Sequence, residues 1–335
     1  MTAALATADD VARLGSELVG WRVLSVDPLR RGGNNRIFRL TGNGACAALK
    51  LYPLQAEDPR NRLAQEYAAL SFLSRHGVTN VPRPIGCDRA GRCAAYQWID
   101  GAPPARIDER DVDALADFFI RLQALRELDG ADALADASAA CFSPAMVVDQ
   151  LGSRLARLRD AIAPGSDVAE LVAANLAPAA AAAAERLRAA FGSAFAESLA
   201  RRLRVLSASD FGFHNALRRP DGGLSFVDFE YFGWDDPAKA IADVMLHPGM
   251  ALAGDLAQRY RARVEAALRP TDDALSFRLD LLFPSMVLLW CLILLNEFLP
   301  ERWTRRAIAG DRDDREAVQA AQLRKARDLF SRNFA

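Results

Sequence analysis

The stretch that decides the reading runs Ser207-Ala208-Ser209-Asp210-Phe211-Gly212-Phe213-His214-Asn215. Past an Asp221-Gly222-Gly223 turn it continues Leu224-Ser225-Phe226-Val227-Asp228-Phe229-Glu230-Tyr231-Phe232-Gly233-Trp234-Asp235-Asp236-Pro237. Asp210 follows an apolar, strand-like run, Asn215 lies five residues on, and Asp228 ends a second short strand at 224–227. Two short strands presenting Asp210, Asn215 and Asp228 at neighbouring ends make an oxygen-rich site. Such a donor set suits a hard cation such as Mg2+, which keeps several waters and completes its shell with phosphate oxygens. One aspartate alone would read as a turn cap; the three residues together read as a site.

Outward from this stretch the chain divides in character. Residues 1–98 alternate quickly: a short amphipathic helix at 8–18, then strands at 21–29, 36–40 and 46–52. A helix opened by Asp58-Pro59 and closed by His76-Gly77 follows, then strands at 83–88 and 92–98. Residues 99–105, with Pro103-Pro104, read as a hinge. Residues 106–335 are mostly helical, with apolar positions from Val112 to Leu125 recurring near a 3.6-residue period. Helices are expected at 108–128, 144–162, 166–176, 179–203, 237–247, 252–267, 272–298 and 300–332, with Pro178 separating two of them. The expected fold class is α+β: a small antiparallel-sheet lobe carrying one helix, a hinge, and a larger helical lobe.

The 335 residues are 51% apolar and 25% charged, which is the composition of a folded globular protein and excludes a disordered or collagen-like chain. The net charge of −1 supplies no global field toward nucleic acid or a membrane. Only three of the 42 basic residues are lysine, namely Lys50, Lys239 and Lys325, so each is a candidate for a task that arginine cannot perform. Five scattered cysteines show no paired framework and no metal spacing, consistent with a reducing cytoplasm. No signal-peptide pattern opens the sequence, and the apolar run 286–295 is too short to span a bilayer. A cytoplasmic monomer or homodimer is expected.

Asp210-x4-Asn215 followed by Asp228 resembles the catalytic loop and metal-binding aspartate of the aminoglycoside phosphotransferase/choline kinase superfamily, whose fold is protein-kinase-like. The resemblance extends over most of the chain. Lys50 stands on the third strand, and Glu66 falls mid-helix where a carboxylate partner for that lysine belongs. Gly32, Gly33 and Asn34 lie in a loop that looks like the family's phosphate-covering hairpin. Gln97 to Gly101, with Ile99 between them, resembles the adenine-binding hinge, and Asp235-Asp236-Pro237 resembles the Asp-Pro that starts a helix.

The resemblance implies an enzyme that moves the γ-phosphate of ATP to a hydroxyl of a small molecule, a sugar, amino sugar or choline-like alcohol. Lys50, held by Glu66, would meet the α- and β-phosphates; Asn215 and Asp228 would ligate Mg2+; Asp210 would accept the acceptor's proton. One departure stands out: Ala208 occupies the place of the family's loop-bracing histidine. That motivates the alternative of a weakly active or inactive nucleotide-binding protein on the same fold. His214 is a candidate substitute brace. Glu230, Trp234, Asp235, Trp290 and Glu297 are candidate acceptor contacts, with Trp290 and Glu297 suited to a cation. Asp243 reads as structural, His247 as the end of a helix, and Lys239 and Lys325 acquire no role. The near-zero charge favours a neutral or singly charged alcohol over a polycation.

Overall fold

The computed structural model describes residues 7–29, 35–52, 60–250, 252–309 and 314–334. Strands β1 (Ser25–Leu29), β2 (Arg36–Gly42), β3 (Ala45–Leu51), β4 (Pro84–Asp88) and β5 (Cys93–Gln97) form one antiparallel sheet in the order β1-β2-β3-β5-β4. Alternation along β3 sorts its residues by face. Ala47, Leu49 and Leu51 join Val11, Phe38 and Leu40 in a core under α1 (Ala8–Val19), whose Gly15 lies against Leu40. Lys50 and Tyr52 point the other way, toward α2 (Arg62–Arg75). The sheet therefore carries a helix on each face rather than one.

The rest is helical around α9 (Leu275–Leu294), which packs against α4 (Pro144–Ala161), α6 (Ala177–Phe191), α7 (Pro237–Leu246) and α11 (Arg315–Phe334). The apolar run 286–295 sits in a 24-residue helical segment, Leu275–Phe298, long enough to cross a membrane by length and composition, yet 67% of its apolar window is buried in this core. Two paired ribbons interrupt the helices: β6 (Val205–Ser207) with β9 (Gly233–Asp235), and β7 (Ala216–Arg218) with β8 (Leu224–Phe226). Buried Gln123, at the end of α3 (Glu109–Gln123), sutures β6 by bonding both the Leu206 N–H and C=O at 2.9 Å.

Several boundaries differ from the sequence reading. The Asp58-Pro59 helix start lies outside the described residues, and α2 begins at Arg62 with the Asn61 side chain accepting from the Ala64 N–H. Pro178 does not separate two helices. The chain passes from α5 (Asp167–Leu171) through a π-turn at Val172–Leu176 straight into α6, and this wider turn lets the helix continue past a residue without an N–H. The helix expected to reach 203 stops at Phe191, where Gly192 takes φ +51°. The helix expected over 300–332 is two, α10 (Pro300–Ala309) and α11. Between α7 and α9 lies α8 (Gly254–Leu268).

Candidate active site

Lys50 Nζ donates to Glu66 Oε2 at 2.7 Å and to Asp228 Oδ1 at 2.6 Å, and lies 3.5 Å from Glu230 Oε2. The Tyr52 hydroxyl also donates to Glu66 Oε2 at 2.7 Å, and the Phe229 N–H reaches Glu66 Oε1 at 3.2 Å. Both oxygens of Glu66 are thus used, one pulling Lys50 and the other the Asp228 loop. Gln65 ties α2 to that loop again by donating to the Phe232 carbonyl at 2.8 Å. Burial works against the Lys50 charge, but Asp228, Glu66 and Glu230 outweigh it and hold its pKa well above the ordinary lysine value.

Asp228 takes φ +68°, a conformation that non-glycine residues seldom adopt and that clusters at functional sites. Burial pushes its carboxyl up to about 7, with Lys50 opposing and Glu230 and Glu66 reinforcing the shift. Three carboxylates, Glu66, Asp228 and Glu230, bring oxygens within 4.8 Å of one another. They share Lys50 and Arg62, which lies 3.5 Å from Glu230. An all-oxygen donor set with more carboxylates than cations fits a hard divalent ion. Asn215 lies beside it: its backbone carbonyl accepts from the Val227 N–H at 2.9 Å. Its Nδ2 donates to the Asp210 carbonyl, leaving Oδ1 as the acceptor available to an ion.

Asp210 is tied to the same ribbons through the Asn215 amide. Ser209 before it takes φ +65° in a tight turn closed by the Asp210 N–H on the Ala208 carbonyl at 2.8 Å. Ala208 is buried, and the brace comes instead from two imidazoles. His214 Nε2 lies 2.9 Å and His247 Nε2 3.2 Å from Asp210 Oδ1, with the rings stacked at 3.8 Å. His247 Nδ1 accepts the Gly249 N–H at 3.0 Å, which assigns the ring proton to Nε2, facing Asp210. Burial would raise the Asp210 pKa; hydrogen bonds from His214 and His247 outweigh it and hold the carboxyl well below the usual range. Oδ1 is occupied by donors, so Oδ2 is the oxygen left for a ligand.

Asp210 opens onto a cavity of about 570 Å3 walled by α4, α7 and α9. Lys239, assigned no role from sequence, is buried there between Asp235 at 3.0 Å and Asp243 at 2.6 Å. These residues form an i, i+4 ladder on α7 and its entry. Asp243 also accepts the Trp290 indole N–H at 2.9 Å, and Trp290 meets His247 edge-on at 4.8 Å. A chain of contacts therefore runs from Asp235 through Lys239, Asp243, Trp290 and His247 to Asp210.

Other sequence expectations fare differently. Trp290 and Glu297 line the cavity, but Glu297 is already ion-paired with Arg302 at 3.0 Å and Arg306 at 3.3 Å, so its charge is answered within the protein. Trp234 is in the core, its indole N–H on the Ala131 carbonyl at 3.1 Å and Arg201 stacked on its ring. Asp235 is fully buried on Lys239, outside the cavity lining. Glu230 belongs to the Lys50 cluster, not to the acceptor side, and its oxygen takes a hydrogen bond from Asn35. Gly32, Gly33 and Asn34 lie outside the described residues. Gln97 ends β5, its N–H on the Arg83 carbonyl at 2.8 Å, and Ile99 follows in the link to the helical part. Sequence reading took His247 as a helix end and passed over Arg154; both are on the cavity wall, and Arg154 carries no local signal among so many helical residues.

This sheet-and-helix architecture, with a buried Lys50–Glu66 pair and Asp210 on a cavity, has the protein-kinase-like fold. The profile of the phosphotransferase enzyme family matches residues 25–273, and the chain belongs to that family. No curated protein sequence matches it. Among solved structures it is similar to a choline kinase from Streptococcus pneumoniae (15% identity, 97% of this chain and 98% of that one, TM-score 0.61). It is similar also to a spectinomycin phosphotransferase solved with ADP and spectinomycin (11% identity, 95% and 98%, TM-score 0.62). A Plasmodium vivax ethanolamine kinase aligns over 96% of this chain and 87% of its own at 15% identity, with TM-score 0.56. The class is therefore that of small-molecule phosphotransferases.

Proposed function

We propose that the protein transfers the γ-phosphate of ATP to a hydroxyl of a small-molecule alcohol. One observation carries the reading: Lys50, Glu66 and Asp228 form a buried cluster, and Asn215 ties the ribbon before Asp228 to Asp210, which lines the cavity. Phosphoryl transfer needs mainly positioning and neutralisation of spreading negative charge. Lys50 supplies a compact ammonium to the nucleotide phosphates, with Glu66 fixing its direction. Asp228 and Asn215 would hold Mg2+, whose charge neutralises phosphate oxygens when bound. Asp210 orients the acceptor hydroxyl and takes its proton at Oδ2, while His214 and His247 keep the carboxylate ionised and in place.

The two imidazoles brace Asp210 where Ala208 replaces a histidine, which supports an active enzyme over an inactive nucleotide-binding protein. Of the sugar, amino sugar and choline-like alcohols that the relatives' substrates suggest, the cationic ones are disfavoured by the arginines on the cavity wall. Turnover of ATP with Mg2+ is to be measured across sugars, hydroxy acids, amino sugars and cholines, with product mass showing phosphate rather than AMP attached. Asp210→Asn is expected to lower kcat by about 10²- to 10⁴-fold with nucleotide affinity retained. Nucleotide binding without turnover of any alcohol would favour the inactive alternative.

A further inference from the structure

Charge on the cavity wall is unevenly answered. Asp210 faces His214 and His247, Asp243 faces Lys239, Glu297 faces Arg302 and Arg306, and Glu301 pairs with Arg157. Every carboxylate there has a basic partner. Arg154, on α4 and one turn before Arg157, lines the same cavity but makes no hydrogen bond or ion pair among the described residues. Burial lowers its pKa, Arg157 and Arg60 push it the same way, and Asp243 opposes them without forming an ion pair with it. A partly buried cation with neither an ion pair nor a hydrogen bond is unfavourable until an anion completes it. A guanidinium fork matches carboxylate and phosphate geometry with two parallel hydrogen bonds.

Resting on the phosphotransferase reading above, we infer that Arg154 recognises the acceptor, and that this acceptor is an alcohol bearing an anionic group, carboxylate or phosphate. The anion binds at Arg154 while a hydroxyl reaches Asp210 across the one cavity that both residues line. A cationic headgroup finds no carboxylate without a basic partner among the described residues of the cavity wall.

The test uses the full-length protein saturated with Mg2+ and ADP, so that added anions are read on the acceptor side. Glucose, glucosamine, gluconate and glucose 6-phosphate are titrated by calorimetry; they share a six-carbon polyol and differ in charge. The two anions are expected to bind at least about tenfold tighter than glucose, with glucosamine weakest. Arg154→Gln should lose about 10- to 100-fold of the anion affinity without changing that for glucose, and Arg154→Lys should recover part of it. Preference for gluconate assigns a carboxylate, and preference for glucose 6-phosphate a phosphate. The inference is overturned if neither anion binds, if glucose or glucosamine binds as tightly, or if Arg154→Gln weakens all four alike. Turnover of the same four compounds with ATP separates the two readings. Anion-selective binding without transfer removes the phosphotransferase proposal alone, whereas transfer confined to neutral or cationic alcohols removes the role of Arg154 alone.

Discussion

Lys50 is answered by three carboxylates within 3.5 Å, and its removal would leave them to repel one another in a buried pocket. Lys50→Met is expected to cost about 3–5 kcal/mol, read as a lowered urea midpoint. Lys50→Arg keeps the charge but not the compact shape, and should fold while losing turnover. Asp235 gives a second prediction at this scale. Burial raises its carboxyl to about 6, with Lys239 opposing and Asp243 adding to the shift. The unfolded chain releases this proton near pH 4, so between about pH 4 and 6 the folded state binds more protons and stability falls as pH rises. Asp235→Asn should flatten that fall in a plot of Tm against pH; a variant as steep as the wild type would contradict it. Lys50 was legible because lysine is scarce and stands beside apolar neighbours on a strand. Lys239 was as scarce, and its i, i+4 spacing to Asp235 and Asp243 was there to be read, but only burial makes that ladder matter.

At the scale of elements, the loop between β6 and β7 is held by what packs on it. Gly212 is one such point: a Cβ there would meet Met250 Sδ at 2.1 Å and the His214 ring at 3.0 Å. Met250 Sδ also accepts the Phe213 N–H at 3.0 Å, so the sulfur cannot retreat without loss. Gly212→Ala is expected to cost about 1–3 kcal/mol of stability. By displacing His214 it should lower kcat up to about 100-fold while leaving nucleotide affinity unchanged, as steady-state kinetics and calorimetry would show. The strands of the sheet and the long helices were legible from their periods, because each buries a regular face. The π-turn before α6 and the ribbon partners β7 and β9 were not. Three-residue strands carry too little pattern, and their pairing depends on contacts distant in sequence, such as Gln123 on Leu206.

For the whole molecule, the Lys50 cluster joins β3, α2 and the Asp228 loop, so a ligand there ties the sheet to the helical part. ADP with Mg2+ at a hundredfold excess over Kd should stabilise the protein by about 2.7 kcal/mol, seen as a rise in Tm that Lys50→Met abolishes. The sequence by itself determined the α+β class, the family resemblance and the order of Lys50, Glu66, Asp210, Asn215 and Asp228, because strand and helix periods and motif spacings are local properties of the chain. Only the tertiary structure decided which residues share a wall. It moved Trp234 and Asp235 out of the acceptor side, set Glu230 beside Lys50, brought His247 to Asp210, and left Arg154 without an ion pair among the described residues. Those assignments depend on how α4, α7 and α9 pack, and packing brings together residues that no spacing in the sequence connects.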